Sequence, residues 1–271
     1  MRLLRNRVTR TGQENENEVT RASYVAAYEA HTDRMLREEI DEERALGLVV
    51  GSNSPEEFAA VGEMQHRLLV AHGLEPQSCL VEIGCGAGRL AAQLAGWQTG
   101  PYLGLDVVRT LLDHAESIAK RPNMRYQRVD GLSIPADTES VDMVCAFSVF
   151  THLRHEESYT YLMDCARVLK TGGSLIFSFL EFRVPSHWLV MEASLDRLGH
   201  AEVPNQFMGV DAVEAWAHHL NLEVVEVFRG DEPFIPLLRP ISLHGQQFLD
   251  FGTFGQSVAV LRKLEQPSRG A

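Results

Sequence analysis

The stretch Val81-Glu82-Ile83-Gly84-Cys85-Gly86-Ala87-Gly88-Arg89-Leu90 changes character half-way along. It opens as a short, mostly apolar run of the kind that forms a strand buried on both faces. Three glycines at alternate positions follow, and then residues that suit the start of a helix. A glycine loop between strand and helix lets backbone approach a ligand where a side chain would clash. Its amides and the helix N-terminus favour polar or anionic groups. Alone the signal is weak, because many nucleotide-binding proteins share it. The Gly-x-Gly-x-Gly spacing nevertheless departs from the Gly-x-Gly-x-x-Gly of dinucleotide binders.

Outward from this loop, apolar runs at residues 79–83, 102–105, 143–147 and 174–179 alternate with helix-suited stretches at 89–94, 108–120 and 156–169. Such alternation predicts an α/β fold with a parallel sheet covered on both faces. Leu169-Lys170-Thr171-Gly172-Gly173 reads as a helix closed by a glycine stop. Further on, 210–220 suits a helix, and 223–228 and 257–261 suit strands. Residues 231–255, rich in proline and phenylalanine, have no clear period.

Before the loop, Tyr24, Tyr28, Met35, Leu36 and Ile40 sit at rough helical spacing, predicting one helix from about 20 to 46. A second is announced by Ser54-Pro55-Glu56-Glu57: an N-cap, a proline at the first helical position, and two acids at the positive end of the helix dipole. Gly73 ends it. Residues 1–13 carry Arg2, Arg5, Arg7 and Arg10 without an acid, and are read as a frayed basic tail rather than a transit peptide. The expected organisation is a disordered tail at 1–19, a helical extension at 20–73, the α/β domain at 74–264 and a tail at 265–271.

The bulk numbers narrow the partners. The chain has 271 residues, is 45% hydrophobic and 23% charged, and carries a formal net charge of -12. That balance argues against broad attraction to nucleic acid or an anionic membrane. No apolar run is long enough to span a bilayer. Cys79, Cys85, Cys145 and Cys165 show no CxxC spacing and are read as small buried hydrophobes in a reducing, cytoplasmic setting. Asp137 and Glu139 lack convincing partners for a metal, so no metal site is expected.

Three acids fall at strand ends: Glu82 before the glycines, Asp106 after Leu103-Gly104-Leu105, and Asp130 before Gly131. Asp106 stands about where an open α/β sheet places a ribose-binding carboxylate, which can accept from both ribose hydroxyls. It can also cap the helix that follows, and Asp130 can form an Asx-turn with Gly131. Asp142 is read as a structural cap. Arg89 is either a cofactor-carboxylate ligand or a solvated helix residue.

Residues 81–90, 103–107, 129–131, 141–153 and 169–179 together resemble the ordered motifs of class I S-adenosylmethionine-dependent methyltransferases. The resemblance implies a doubly wound, mostly parallel sheet of seven strands, the last antiparallel, with the N-terminal helices as an extension. It implies S-adenosylmethionine as cofactor. Gly84, Gly86 and Gly88 would line its methionine part, and the preceding Glu82 is counted among the cofactor-binding residues; Asp106 would hold the ribose and Val107 the adenine. Asp130 would accept from the adenine amino group, Gly131 or Leu132 would present a backbone donor, and Phe147 and Ser148 would flank the methionine moiety.

Methyl transfer from a sulfonium is an in-line displacement governed by alignment, and a hydroxyl acceptor benefits from a general base. His152 in Thr151-His152-Leu153 and Glu181 after the fifth strand are the candidates, with His187 a lesser one. The sequence has neither an Asn/Asp-Pro-Pro-Tyr/Phe motif nor a Pro-Cys nucleophile, which disfavours nucleic-acid methylation. A small molecule, glycan or biosynthetic intermediate is the expected acceptor, with O-methylation favoured, in a monomer or homodimer. The alternatives are a catalytically inactive partner protein and an NAD-dependent oxidoreductase. The N-terminal helices, through Tyr24 and Tyr28, and residues 231–255 are two candidate walls of the acceptor pocket, the competing reading being ordinary core or a subunit interface. Trp188 and Trp216 are read as packing residues.

Overall fold

The computed structural model describes residues 11–39, 41–195, 203 and 205–265, with the side chains of 11–24 not described. Its helices are α1 (Thr11–Glu38), α2 (Glu42–Val49), α3 (Pro55–Ala71), α4 (Arg89–Leu94), α5 (Arg109–Ile118), α6 (His155–Val168), α7 (His187–Leu195) and α8 (Val210–His219). The strands of the main sheet are β1 (Leu80–Ile83), β2 (Tyr102–Asp106), β3 (Met124–Arg128), β4 (Val141–Ala146), β5 (Leu169–Phe179), β6 (Leu222–Phe228) and β7 (Ser257–Lys263).

The order across the sheet is β3-β2-β1-β4-β5-β7-β6. Strands β1 to β5 pair in parallel, and β7 runs antiparallel between β5 and β6. Strand order reverses at β1 and β4, which creates a crevice at their carboxyl ends, where open α/β sheets bind ligands. Both central strands are buried along almost their whole length, as continuous apolar runs require.

One apolar layer joins Val144, Leu162 and Phe177 to Val213 on α8. The opposite layer joins Leu80, Leu90 and Ile176 to Met64, Leu68 and Leu69 on α3. A smaller cluster unites Leu46 of α2, Ala87 of the glycine loop, and Val108 and Leu111 of α5, with Tyr28 and Val50 packed against it. The N-terminal helices thus rest directly on the loop.

Helix α3 starts as its sequence dictates, with Ser54 Oγ accepting from Glu57 N at 3.2 Å and Pro55 in the first turn. The single helix expected over 20–46 is instead two. Asp41 leaves helical geometry and its carboxylate accepts from Arg44 N at 3.2 Å, capping α2 as a new helix. In the other direction α1 reaches back to Thr11, into the stretch read as a disordered tail.

The expected glycine stop after α6 is also different. Helix α6 gives way at once to β5, and Gly172 (φ +80°) sits inside that strand, where the register against β4 shifts between Val141 and Met143. The glycines form a bulge, not a helix cap. Asp142 is structural as read: it accepts from Cys79 N at 2.8 Å and from Lys170 Nζ at 2.7 Å, tying β4 to the approach of β1 and to β5. Residues 231–255 form two small ribbons, Ile235–Pro236 with Phe251–Gly252 and Ile241–Leu243 with Gln246–Phe248. They pack on α3, where Arg239 pairs with Glu63 at 2.5 Å, and they bury Ile235, Ile241 and Phe248 in the core. Trp216 packs beside Tyr159 and His155, whereas Trp188 is about half exposed, its indole donating to Phe182 O at 3.0 Å.

Candidate functional site

A cavity of about 300 Å³ lies at the carboxyl ends of β1, β2 and β4. The sheet side contributes Gly84, Gly86, Asp106, Val107 and the loop Asp130-Gly131-Leu132. Phe147, Ser148 and His152 enter from the segment after β4, and Val25, Tyr28 and Val50 from the N-terminal helices. A smaller cavity of about 170 Å³ opens beside it and shares Tyr28, Val49 and His152 with it.

Asp106 is the organising group of the sheet side. One carboxylate oxygen accepts from Gly86 N at 2.9 Å and the other from Val108 N at 2.9 Å. Burial pushes its pKa up, opposed by those backbone donors. The carboxylate therefore locks the glycine loop to the start of α5, and each oxygen still has a second lone pair for a ligand. Gly86 has φ +53°, and a Cβ built on it would stand 2.7 Å from Val50 Cγ1. Only glycine lets the N-terminal helices come down so closely on the loop.

On the other side of the crevice, Ser148 adopts φ +59°, a conformation side chains seldom take. It is held there by a small network: its amide donates to Ser178 Oγ at 2.7 Å, Ser178 Oγ donates to Gln256 Oε1 at 2.6 Å, and Gln256 Nε2 donates to Ser148 Oγ at 3.0 Å. Phe147 is buried against Phe254 with ring centroids 5.6 Å apart. The His152 ring meets the Tyr28 ring edge-on at 5.6 Å, so this imidazole stands where α1 crosses the cavity. Asp130 lies open at the rim, paired with Arg128, which also binds Glu29 of α1 at 3.0 Å.

Residues 80–173 match the family described as a methyltransferase domain. That stretch, 94 of the 271 residues, is similar to methyltransferase domains. Magnesium protoporphyrin IX methyltransferase from Synechocystis PCC 6803, solved with bound SAH, has the same fold: TM-score 0.59 at 14% identity, over 91% of this chain and 99% of that one. Among curated proteins, a methyltransferase of Schizosaccharomyces pombe is 30% identical over 110 residues, 40% of this chain and 42% of its own. The ubiquinone biosynthesis O-methyltransferase of Maricaulis maris is 30% identical over 100 residues, 36% of this chain and 38% of its own. The chain therefore spans about two fifths of the length of the curated relatives it matches.

Most residues singled out in the sequence converge on the larger cavity: Gly84, Gly86, Asp106, Val107, Asp130, Gly131, Leu132, Phe147, Ser148 and His152. Three do not line it. Glu82 points into the sheet, where it is 3% exposed and shares a 2.5 Å hydrogen bond with Tyr102 Oη. Burial raises its pKa to about 8, against the Tyr102 hydrogen bond and the nearby Arg89. Gly88 (φ +88°) begins α4, and a Cβ there would stand 2.9 Å from Ala115, so it serves the contact of the loop with α5. Glu181 is 1% exposed and bound by Arg183 at 3.1 Å, with its backbone amide donating to His187 Nδ1 at 2.8 Å. It is closed off from the cavity, and His187 is spent on backbone contacts, including Gly255 O at 3.1 Å.

Arg89 is not a solvated helix residue. It lines the cavity, its guanidinium reaches Ser52 Oγ at 3.5 Å, and burial lowers its pKa to about 10 while the nearby Glu82 opposes the shift. Of the two expected acceptor walls, the N-terminal helices reach the cavity through Tyr28, whereas Tyr24 lies outside the described side chains. Residues 231–255 do not line it; their neighbour Gln256 does. Nothing in the sequence marked Gln256, because a lone glutamine ahead of a strand carries no signal. Val49 and Val50, also unmarked, lie just where the misread helix boundary falls.

The lining suits an adenosyl sulfonium. A carboxylate, an apolar slot made by Leu105, Val107 and Leu111, a glycine backbone and a cation at Arg89 match in turn ribose, adenine, methionine chain and carboxylate. Among the described residues no helix is long and apolar enough to cross a membrane.

Proposed function

We propose that this chain transfers the methyl group of S-adenosylmethionine to a hydroxyl of a small-molecule acceptor, and that His152 is the base that takes the hydroxyl proton. The reading rests on one juxtaposition: His152 lies in both cavities at once, with the Asp106 and glycine-loop surface in the larger of them. Asp106 accepts from the ribose hydroxyls, Val107 packs on the adenine, and Asp130 with the Gly131 and Leu132 backbone reads its edge. Arg89 pairs with the cofactor carboxylate, and Phe147 and Ser148 flank the methionine chain. When bound, the cofactor supplies an electrophilic methyl group. The chain contributes alignment, a dry apolar cover from Val25, Tyr28 and Val50, and the proton acceptor.

Oxygen as the acceptor atom is favoured by an imidazole at the junction, since an amine acceptor needs only to be neutral. O-methyltransferases recur among the relatives, such as that of Aspergillus sclerotiorum, 25% identical over 105 residues. Four cysteines without disulfides agree with a reducing, cytoplasmic setting. Titration with S-adenosylhomocysteine in a calorimeter is the direct test. Saturable one-site heat is expected, together with methyl transfer from labelled donor to phenolic acceptors. Heat on NAD and none on S-adenosylhomocysteine would overturn the reading.

A further inference from the structure

Ser148 lines the larger cavity with a left-handed backbone, φ +59°. Among the described residues Glu139, Asn221 and His244 share that sign of φ without being glycine, and none of them lines the cavity. Such a backbone is disfavoured for a side chain and persists only where its surroundings over-determine it. Three bonds do so here, in a ring that begins and ends on Ser148. Its amide donates to Ser178 Oγ at 2.7 Å, and the Ser178 hydroxyl donates to Gln256 Oε1 at 2.6 Å. Oε1 therefore faces Ser178, and Gln256 Nε2 donates back to Ser148 Oγ at 3.0 Å. Ser178 is wholly buried on β5 and does not line the cavity, so it reaches the crevice only through the other two. Phe254, two residues before Gln256, meets the Phe147 ring at 5.6 Å. Gly255 between them is tied in turn, its carbonyl 3.1 Å from His187 Nε2. The approach to β7 thus holds both residues that leave β4.

We propose that Gln256 is a positioning residue for methyl transfer: through Ser178 and Ser148 it holds the left-handed turn after β4, and with it the wall on which the methionine chain of the cofactor lies. The assignment rests on the methyl-transfer reading. The turn carries Phe147 and Ser148 into the lining and seats the next residue, Val149, on the glycine loop: a Cβ on Gly84 would collide with Val149 Cγ2. If Ser148 returned to a negative φ, Phe147 would leave the cavity and Val149 would lose its place over Gly84. A side chain at the entrance of β7, 108 positions from Ser148, thereby sets the shape of both sides of the methionine slot. Glycine at 148 would adopt the same backbone without help, and that separates a positioning role from a direct contact.

Calorimetric titration with S-adenosylhomocysteine and urea denaturation test it on the wild type, on Gln256→Leu and Ser178→Ala, and on Ser148→Gly alone and combined with each. With serine at 148, Gln256→Leu and Ser178→Ala should each weaken S-adenosylhomocysteine at least about tenfold, the scale of a backbone released from strain. With glycine at 148 the same two changes should cost no more than about threefold, since glycine takes a positive φ about as readily as a negative one. Equal losses in the two backgrounds would mean that Gln256 meets the ligand directly. Unchanged affinity in folded Gln256→Leu and Ser178→Ala would mean that the ring only stabilises the fold. Either result overturns the proposal. A wild type that binds no S-adenosylhomocysteine removes the methyl-transfer reading instead, and the urea midpoints then decide the ring alone. Ser148→Gly should raise the midpoint of Gln256→Leu relative to its effect on the wild type; the same effect on both would overturn the link between Gln256 and the Ser148 backbone.

Discussion

On one side of the larger cavity, backbone from β1, β2 and the glycine loop is pinned by buried groups: Asp106 of β2 on Gly86 and Val108, and Ala115 of α5 against Gly88. On the other side, α1 and α2 lie over that loop through apolar side chains, the Arg128–Glu29 pair and the Tyr28–His152 ring contact. The first wall is fixed by short, directional bonds and by steric limits that admit one residue type. The second is held by contacts that are individually weak and partly exposed, such as an ion pair of the kind that contributes about 1 kcal/mol or less. A donor common to a whole family suits a rigid wall, and an acceptor peculiar to one chain suits an adjustable one.

Perturbing the two walls should therefore give different signatures. The largest effect is expected from Asp106→Ala, which frees Gly86 and Val108 and removes the carboxylate proposed to hold the ribose. S-adenosylhomocysteine affinity should fall by about a hundredfold or more, since hydrogen bonds to charged groups contribute about 1.5–3 kcal/mol each. Unchanged affinity in the folded variant would remove Asp106 from the site. Next comes Gly88→Ala, which imposes both a left-handed backbone and a Cβ 2.9 Å from Ala115. Urea denaturation should show a loss of about 2–3 kcal/mol; a wild-type midpoint would mean that the loop can yield. For His152→Ala, turnover should fall at least about tenfold with little change in cofactor binding, and equal turnover would leave this histidine a structural residue.

A pH-dependent effect concerns the sheet side alone. Glu82 ionises near 4.5 in the unfolded chain and at about 8 when buried. The unfolded state therefore binds fewer protons between those values, and folding stability declines as pH rises through the window. Glu82→Gln should flatten that slope and gain stability over the wild type as pH rises towards 8, with the difference closing towards pH 4.5, as thermal melts across pH would record. A slope identical to the wild type would mean that Glu82 stays charged in the folded sheet.

The same contrast explains what was legible in the residues. Four of the five parallel strands stand out because they are continuous apolar runs, whereas β3, Met124–Arg128, is polar and mostly exposed, and Asp106 stands out because it closes one. Glu82 misleads because an acid in a strand does not reveal its face: side chains alternate, and this one turns towards Tyr102. Gly88 misleads because ligand approach and helix approach both demand a bare backbone. The ribbons at 235–252 were invisible, since strands of two or three residues have no measurable period. The break between α1 and α2 lay in Asp41, a cap hidden among other charges, and with it went Val49, Val50 and their place at the cavity.

The order of the sheet has a consequence for how the chain is made. Strand β7 follows β6 in the chain yet lies not at an edge but between β5 and β6, and Gln256 at its entrance completes the network under Ser148. While the ribosome is still adding residues before 257, β5 has an unpaired margin and β6 has nowhere to attach. The glycine loop and its acids can form early, yet the crevice matures only when β7 has been threaded in. A nascent chain stalled short of that point exposes an open sheet edge, and such edges recruit other strands.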